Sequence, residues 1–467
     1  MSESAFLRCI RPACATTIGL TEPRYDCPTC GALLDVAYDW NRLQPPGDGR
    51  FFDERAGRRS EPLDFSGVWR FRELLPFAPE EAMVTVGEGQ TLLQAPDVAA
   101  MDLPLKQGRL HLQYEGMNPS GSFKDNGMAA ATTMARLLGR RRLACASTGN
   151  TSASMALYAS LARLADGTPM RGIVFVGAGK IAVGKLSQAL DYGALTLQIA
   201  GDFDACMRRI REAAERLNLY LMNSVNPFRL EGQKTIIYRI LQALKWEVPD
   251  WIVVPGGNLG NTSAFGKALV ELRELGLISR LPRLAVVNAE GANTLFTLYT
   301  DHGLRWNGGD WDSACAERFY EQMSASGRKA ATVASAIEIA RPVNLPKALR
   351  SLEATDGVVT QVSDEQILDD KARVGRCGFG CEPASAAGVA GLRRLLADGT
   401  IDKGASVVCI LTGHVLKDPD ATVRYHTGTE AGAASDSPAA RAGRLSNKPI
   451  PVANDLDAIC QLIEAEI

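Results

Sequence analysis

The chain has 467 residues, 46% of them apolar, enough for one or two large cores and a small appendage at roughly 100 to 200 residues per domain. A formal net charge of -2 with no local basic patch excludes nucleic acid and an anionic membrane as expected partners. No unbroken run of about 18 apolar residues occurs, and the opening residues lack a basic flank before an apolar stretch, so a soluble, cytoplasmic protein is expected.

Residues 1–42 form a cysteine-rich module. Cys9 and Cys14, then Cys27 and Cys30 followed by Gly31, are spaced compatibly with a tetrahedral four-thiolate zinc ribbon. A ribbon-like hairpin without metal, or four buried thiols, are the alternatives. Three arginines and no lysine stand against five Asp/Glu in residues 1–40, so the module reads as structural rather than as a nucleic-acid reader. The following NRLQPPGDGRFFDERAGRRSEP is polar, carries Pro and Gly, lacks periodicity and reads as a linker.

From about residue 109, β-rich runs alternate with helical patterns: RLHLQYE, KDNGMAAATTMARLLG, RLACAS, NTSASMALYASLARLA, RGIVFVG, KIAVGKLSQALDYG and ALTLQIAG. The alternation resumes with DWIVVPGG and its helix, then LPRLAVVNAEG and SVVCILTGH. Nearly continuous apolar strands imply parallel sheet covered on both faces, an α/β fold. The expected division is a large lobe from 43–120 and 223–426, a small lobe from 121–222, and a linker with a C-terminal segment from 427–467. Within the last of these, residues 427–449 are small and polar and read as mobile.

Three strand-to-helix loops carry candidate chemistry. In MNPSGSFKDNGM the one lysine, Lys124, sits at a helix mouth, where the macrodipole disfavours the ammonium form. Such an amine suits capture of an aldehyde; a solvated lysine in a capped turn is the alternative. VPGGNLGN, residues 254–261, has the glycines and helix-start N–H groups of a phosphate cradle, without the ending of a nucleotide P-loop; a plain tight turn is the alternative. CASTGNTSASM offers Ser147, Thr148, Asn150 and Thr151 beside free helix N–H groups, an arrangement fitted to a carboxylate or simply to N-capping. Ligands of open α/β sheets bind at such strand ends.

Taken together, NPSGSFKDNGM, STGNTSAS, PGGNLGN, CEPASAAGVAGL, LTGHVLKDP, GKIAVGKLSQAL, MNSVNPFRLEGQKT and TVASAIEIARPVNLPKAL resemble the fold-type II pyridoxal-phosphate enzymes, and more narrowly the threonine synthase family, over about residues 85 to 420. The resemblance implies two lobes of parallel and mixed sheets covered by helices. It implies pyridoxal 5'-phosphate carried on Lys124 beside Phe123, its ring hydroxyl on Asn150 and its ring nitrogen facing Thr412. Gly256, Gly257, Asn258, Leu259, Gly260 and Asn261 would hold its phosphate. The implied reaction turns O-phospho-L-homoserine and water into L-threonine and phosphate, with Asn223, Ser224 and Arg229 on the substrate phosphate and Ser147, Thr148 and Thr151 also on the substrate. Some members of that family carry similar N-terminal cysteine pairs, which makes zinc the implied metal.

Other residues were weighed beside these. His414 reads as structural, Cys377 and Cys381 as buried thiols, and Glu382 as facing the cofactor by resemblance alone. A homodimer is expected. The competing readings are a sister enzyme, such as threonine dehydratase, cysteate synthase or diaminopropionate ammonia-lyase, and a non-catalytic binding protein on the same scaffold.

Overall fold

The computed structural model describes residues 4–22, 24–177, 183–200, 210, 212–428 and 442–466. Residues 179–182 of GKIAVGKLSQAL and 429–441 of the polar tail lie outside them. Thirteen strands are described: β1 Ala5–Cys9, β2 Thr17–Gly19, β3 Leu34–Tyr38, β4 Leu92–Gln94, β5 Leu110–Tyr114, β6 Arg142–Ala146, β7 Arg171–Gly177, β8 Leu195–Ile199, β9 Tyr220–Leu221, β10 Trp251–Pro255, β11 Arg283–Ala289, β12 Val358–Val362 and β13 Val407–Leu411. They build three sheets. An antiparallel sheet ordered β2-β1-β3 carries the cysteines, a six-stranded sheet runs β12-β11-β10-β13-β5-β4, and a four-stranded sheet runs β8-β7-β6-β9. Only β4 is antiparallel in the six-stranded sheet, and the four-stranded sheet is parallel throughout. This is the α/β fold with parallel and mixed sheets that the sequence implies. Among the described residues no helix is long and apolar enough to cross a membrane.

The central strands are buried on both faces because their side chains alternate between two cores. Ile252 and Val254 of β10 join one cluster with Ile236, Phe265 and Leu349, while Trp251 and Val253 join another with Ala387, Val389 and Leu392. The helices supplying these residues are α3 Pro227–Ala243, α4 Gly260–Glu274, α5 Leu345–Ala354 and α6 Pro383–Ala397; they follow α1 Lys124–Leu137 and α2 Asn150–Leu161 in the chain.

The three-stranded N-terminal sheet is fastened to the main body by buried charge. Lys347 of α5 pairs with Asp35 at 2.8 Å and donates to the Leu34 carbonyl at 2.7 Å. Burial alone would raise the Asp35 carboxyl; Arg350 and Lys347 outweigh it and hold the group well below the usual range.

The stretch expected to be a linker is partly ordered structure. Arg50–Ala56 is a helix, Phe52 in it is fully buried, and its ring lies 5.0 Å from that of Phe71. Charged residues hid one apolar anchor. Arg55 of the same helix is buried as well and pairs with Glu73 at 2.6 Å, while most other polar residues of the stretch are exposed.

Helices α1 and α3 touch backbone to backbone. A Cβ on Gly127 would lie 2.9 Å from the Arg229 carbonyl oxygen, and one on Gly232 would overlap the carbonyl of Asn126. Two glycines on facing helices therefore set the distance between the N-terminal turns of α1 and α3. Gly232→Ala should force the helices apart and lower stability by about 2 to 4 kcal/mol, read as a reduced urea midpoint; an unchanged midpoint contradicts this packing.

Candidate active site

Lys124 opens α1 and is placed by backbone bonds on its N-terminal side. Ser122 bridges Gly413, and the Phe123 N–H donates to the Thr412 carbonyl at 2.9 Å. Gly121, with φ at +83°, makes the turn into this segment. Asp125 then closes the loop by accepting from the Ser120 N–H at 2.7 Å and the Ser120 hydroxyl at 2.6 Å. Burial pushes the Asp125 carboxyl up to about 6. The Lys124 ammonium is brought down to about 7 by burial first and by Arg229 second, against an opposing pull from Glu382. Its Nζ lies 4.3 Å from the centre of the Phe123 ring.

Lys124 lines a cleft with about 510 Å³ of open space, which it shares with Phe123, Ser224, Arg229 and Thr412. The far wall is the loop from Gly257 to Asn261. This loop joins β10 to α4 through Leu259 at φ +62°, a left-handed conformation costly for leucine and held here by full burial of its side chain. Asn258 is pinned from outside, its carbonyl accepting from Asn344 N–H at 3.3 Å. The glycines are set by packing: a Cβ on Gly256 would meet Asn288 Nδ2 at 2.8 Å, and one on Gly257 would meet Ile337 Cα at 3.0 Å. Among the described residues the N–H groups of residues 257 to 261 find no protein acceptor, which leaves a row of donors at a helix start.

Arg229, in the first turn of α3, is 1% exposed and has no carboxylate partner among the described residues. Its Nη1 donates to the Met222 carbonyl at 3.0 Å, and its Nε has no partner. Burial lowers its pKa to about 10. Just before α3, the Asn223 side chain bonds both the N–H and the carbonyl of Ala146 at 3.2 Å, and the Ser224 carbonyl accepts from Asn344 Nδ2 at 3.0 Å.

On the opposite side, Glu382 links two candidates. Its carboxylate accepts from Asn150 Nδ2 at 2.9 Å and from the Thr412 hydroxyl at 3.0 Å; Ser385 Oγ lies 3.0 Å from Thr412 Oγ1. Burial raises the Glu382 carboxyl, with both hydrogen bonds and the cations Lys417 and Lys124 acting against it.

Not every candidate reaches the cleft wall. Asn150 meets it only through Glu382, Gly256 lies behind it, and Asn223 is bound to β6. Ser147 accepts from the Gly149 N–H at 3.2 Å, Thr148 is exposed and Thr151 is half-buried; none of the three lines the cleft. His414 accepts from the Leu416 N–H and stacks near Tyr114, a local structural placement. Cys381 is buried and Cys377 partly so, without forming a metal cluster among the described residues. Five lining residues lie outside the candidates: Pro255, Gln233, Ala336, Ile337 and Ala384. Gln233 stands one helical turn beyond Arg229 and donates to Asn261 at 2.6 Å; the spacing of four was the available signal. Ile337 faces Gly257 from a short helical turn that nothing local distinguishes.

Away from the cleft, the sulfurs of Cys9, Cys14, Cys27 and Cys30 all lie within 4.8 Å of one another. Cys9 and Cys30 are 3.5 Å apart, Cys14 and Cys27 3.7 Å. Zinc at about 2.3 Å from each of four thiolates places the sulfurs about 3.8 Å apart, so the set fits that ion. For Cys27, burial acts upward, but the N–H groups of Cys30 and Thr29 outweigh it and bring the thiol down to about 6. The Thr16 hydroxyl lowers Cys14 as well, while burial raises Cys9.

Residues 84–413 match the family described as pyridoxal-phosphate dependent enzyme. A threonine synthase of Methanocaldococcus jannaschii is 38% identical over 418 residues, 89% of this chain and 94% of that protein. One from Mycobacterium bovis is 40% identical over 357 residues, 76% and 89% of the two chains. The crystal structure of Escherichia coli threonine synthase covers 99% of this chain and all of its own with a TM-score of 0.60 at 18% identity, a likeness of fold. The site accommodates the family's cofactor: a lowered amine meets the need of an aldehyde, and the unpaired N–H row meets the need of a phosphate. The chain belongs to the pyridoxal-phosphate dependent enzymes, among the threonine synthases.

Proposed function

We propose that this cleft converts O-phospho-L-homoserine and water into L-threonine and phosphate. The observation that carries the reading is Arg229, a buried guanidinium that among the described residues has a free Nε and no carboxylate partner, and that lines the same cleft as Lys124. A cation left in that state calls for an anion from the ligand. The row of N–H groups at 257 to 261 is matched to the cofactor phosphate, so the guanidinium is matched to a second one, as a phosphorylated substrate supplies. A dehydratase acting on threonine brings no such group.

When bound, pyridoxal phosphate supplies an electron sink for charge developing beside the substrate amine. Lys124 would hold its aldehyde, and the N–H groups from Gly257 to Asn261 would hold its phosphate, with Gly256 bonded into the sheet behind them. Lys124, an amine poised near neutrality, would accept the proton from the substrate Cα and return protons along the substrate chain. Arg229 and Ser224 fix the leaving phosphate, with Asn223 setting their loop against β6, and the guanidinium offsets the charge that grows there as the bond to Cγ breaks. Thr412 would present a hydroxyl to the ring nitrogen, which would hold a proton there less firmly than a carboxylate and favour elimination and replacement over transamination. Glu382 orients Asn150 and Thr412 together. The four N-terminal thiols are assigned to a structural zinc ion.

Arg229→Ala should raise KM for O-phosphohomoserine at least about 30-fold, the scale of a buried charge pair losing one partner, with cofactor absorbance unchanged; an unaltered KM removes Arg229 from this role. The neutral amine is the form that captures an aldehyde. Since Lys124 is brought down to about 7, the rate at which cofactor-free protein takes up pyridoxal phosphate should climb with pH to a midpoint near 7 and then level; a midpoint near the ordinary 10.5 contradicts the lowered amine. Metal analysis of protein purified without chelator should return one zinc per chain, lost in Cys27→Ser, whereas metal-free folded protein argues against the zinc assignment.

A further inference from the structure

The loop that leads into α3, residues 222 to 229, is gripped at both ends by phenols of the N-terminal cysteine module. Upstream lies β9, an edge strand paired only with β6. The outward N–H and carbonyl of Leu221 would have no strand partner, and the Tyr25 hydroxyl takes both: it accepts from the Leu221 N–H at 2.9 Å and donates to the Leu221 carbonyl at 3.3 Å. That same carbonyl accepts from Asn226 Nδ2 at 2.9 Å, and Asn226 Oδ1 caps α3 by accepting from the Phe228 N–H at 3.0 Å. Downstream, the Tyr38 hydroxyl donates at 2.6 Å to Glu231, a carboxylate 1% exposed that also pairs with Lys234 at 2.7 Å and with Lys267.

Between these two grips sit Asn223, Ser224 and Arg229. Tyr25 stands two residues before Cys27, and Tyr38 ends β3, whose first residue Leu34 pairs with Cys9. The four-thiol cluster and the anion loop are thus joined by two short connections.

Resting on the proposed reaction, we propose that Tyr25 and Tyr38 are positioning residues for substrate phosphate, holding Leu221 and Glu231 so that Asn223, Ser224 and Arg229 keep one geometry. On this account the cysteine module serves binding of the substrate's phosphate rather than of the cofactor, since neither phenol contacts the loop at 257 to 261. Tyr25 carries the greater share, because its loss leaves the Leu221 N–H unpaired and the Leu221 carbonyl with Asn226 alone, whereas Glu231 without Tyr38 keeps both lysines.

The test uses full-length enzyme loaded with pyridoxal phosphate. In Tyr25→Phe the KM for O-phosphohomoserine should rise about fivefold, the order one buried hydrogen bond carries, with kcat within about twofold and cofactor absorbance and affinity unchanged. Tyr38→Phe should move KM the same way by less. An unchanged KM in both variants overturns the proposal, as does a loss of cofactor affinity in step with KM, which marks general loosening. Inorganic phosphate binding, followed by calorimetry on the same proteins, separates this inference from the reaction it rests on. If wild-type protein does not turn over O-phosphohomoserine, the proposed reaction falls; weaker phosphate binding in Tyr25→Phe still supports the positioning role, and equal binding overturns it.

Discussion

The backbone contact between α1 and α3 is the constraint on which the site depends. Gly127 and Gly232 let the two helices approach until one chain's carbonyls face the other's Cα atoms, and no residue with a Cβ fits at Gly232 without moving them. The consequence is chemical. Lys124 and Arg229, each in the first turn of its helix, come to line one cleft, and the guanidinium joins burial in disfavouring the ammonium form. A matter of packing thereby sets an acid-base property, and the amine is ready for an aldehyde before any ligand arrives.

Several buried charges elsewhere are matched inside the protein. Asp35 has Lys347 and Arg350, Glu115 has Arg239, and Glu231 has Lys234 and Lys267. The cleft departs from that pattern. Among the described residues Arg229 is as buried as these groups yet meets only a carbonyl, and the N–H row beyond β10 meets no acceptor. A buried cation and a row of donors left without acceptors in a cleft stand ready for ligands, at some cost in stability. The family's cofactor and its phosphorylated substrate together bring two phosphates, enough to answer both deficits.

What could be read from the sequence was what short segments determine. Strands such as WIVVP and VVCIL are apolar throughout because both faces are covered, and Lys124 is flanked by the turn and helix that isolate it. Tertiary neighbours were out of reach. Glu382 lies 232 residues from Asn150, and their bond is visible only once β13 and α6 are packed. Ser147, Thr148 and Thr151 carry little signal of their own: hydroxyls beside a helix start look the same whether they face a ligand or bond the local backbone, and Ser147 Oγ accepts from the Gly149 N–H. Phe52 was masked by charged neighbours whose partners lie in other elements. The two-residue β9 carries no periodicity at all, yet it leads straight into the anion-facing loop.

The account's central claim is that two cations on touching helices, one lowered to an amine and one kept as a guanidinium, act on a single phosphorylated amino acid. The most direct measurement follows inorganic phosphate and amino-acid products together after adding O-phosphohomoserine to the holoenzyme. One threonine for each phosphate released is the predicted result. Phosphate accompanied by 2-oxobutyrate and ammonia in place of threonine, or no phosphate at all, contradicts it.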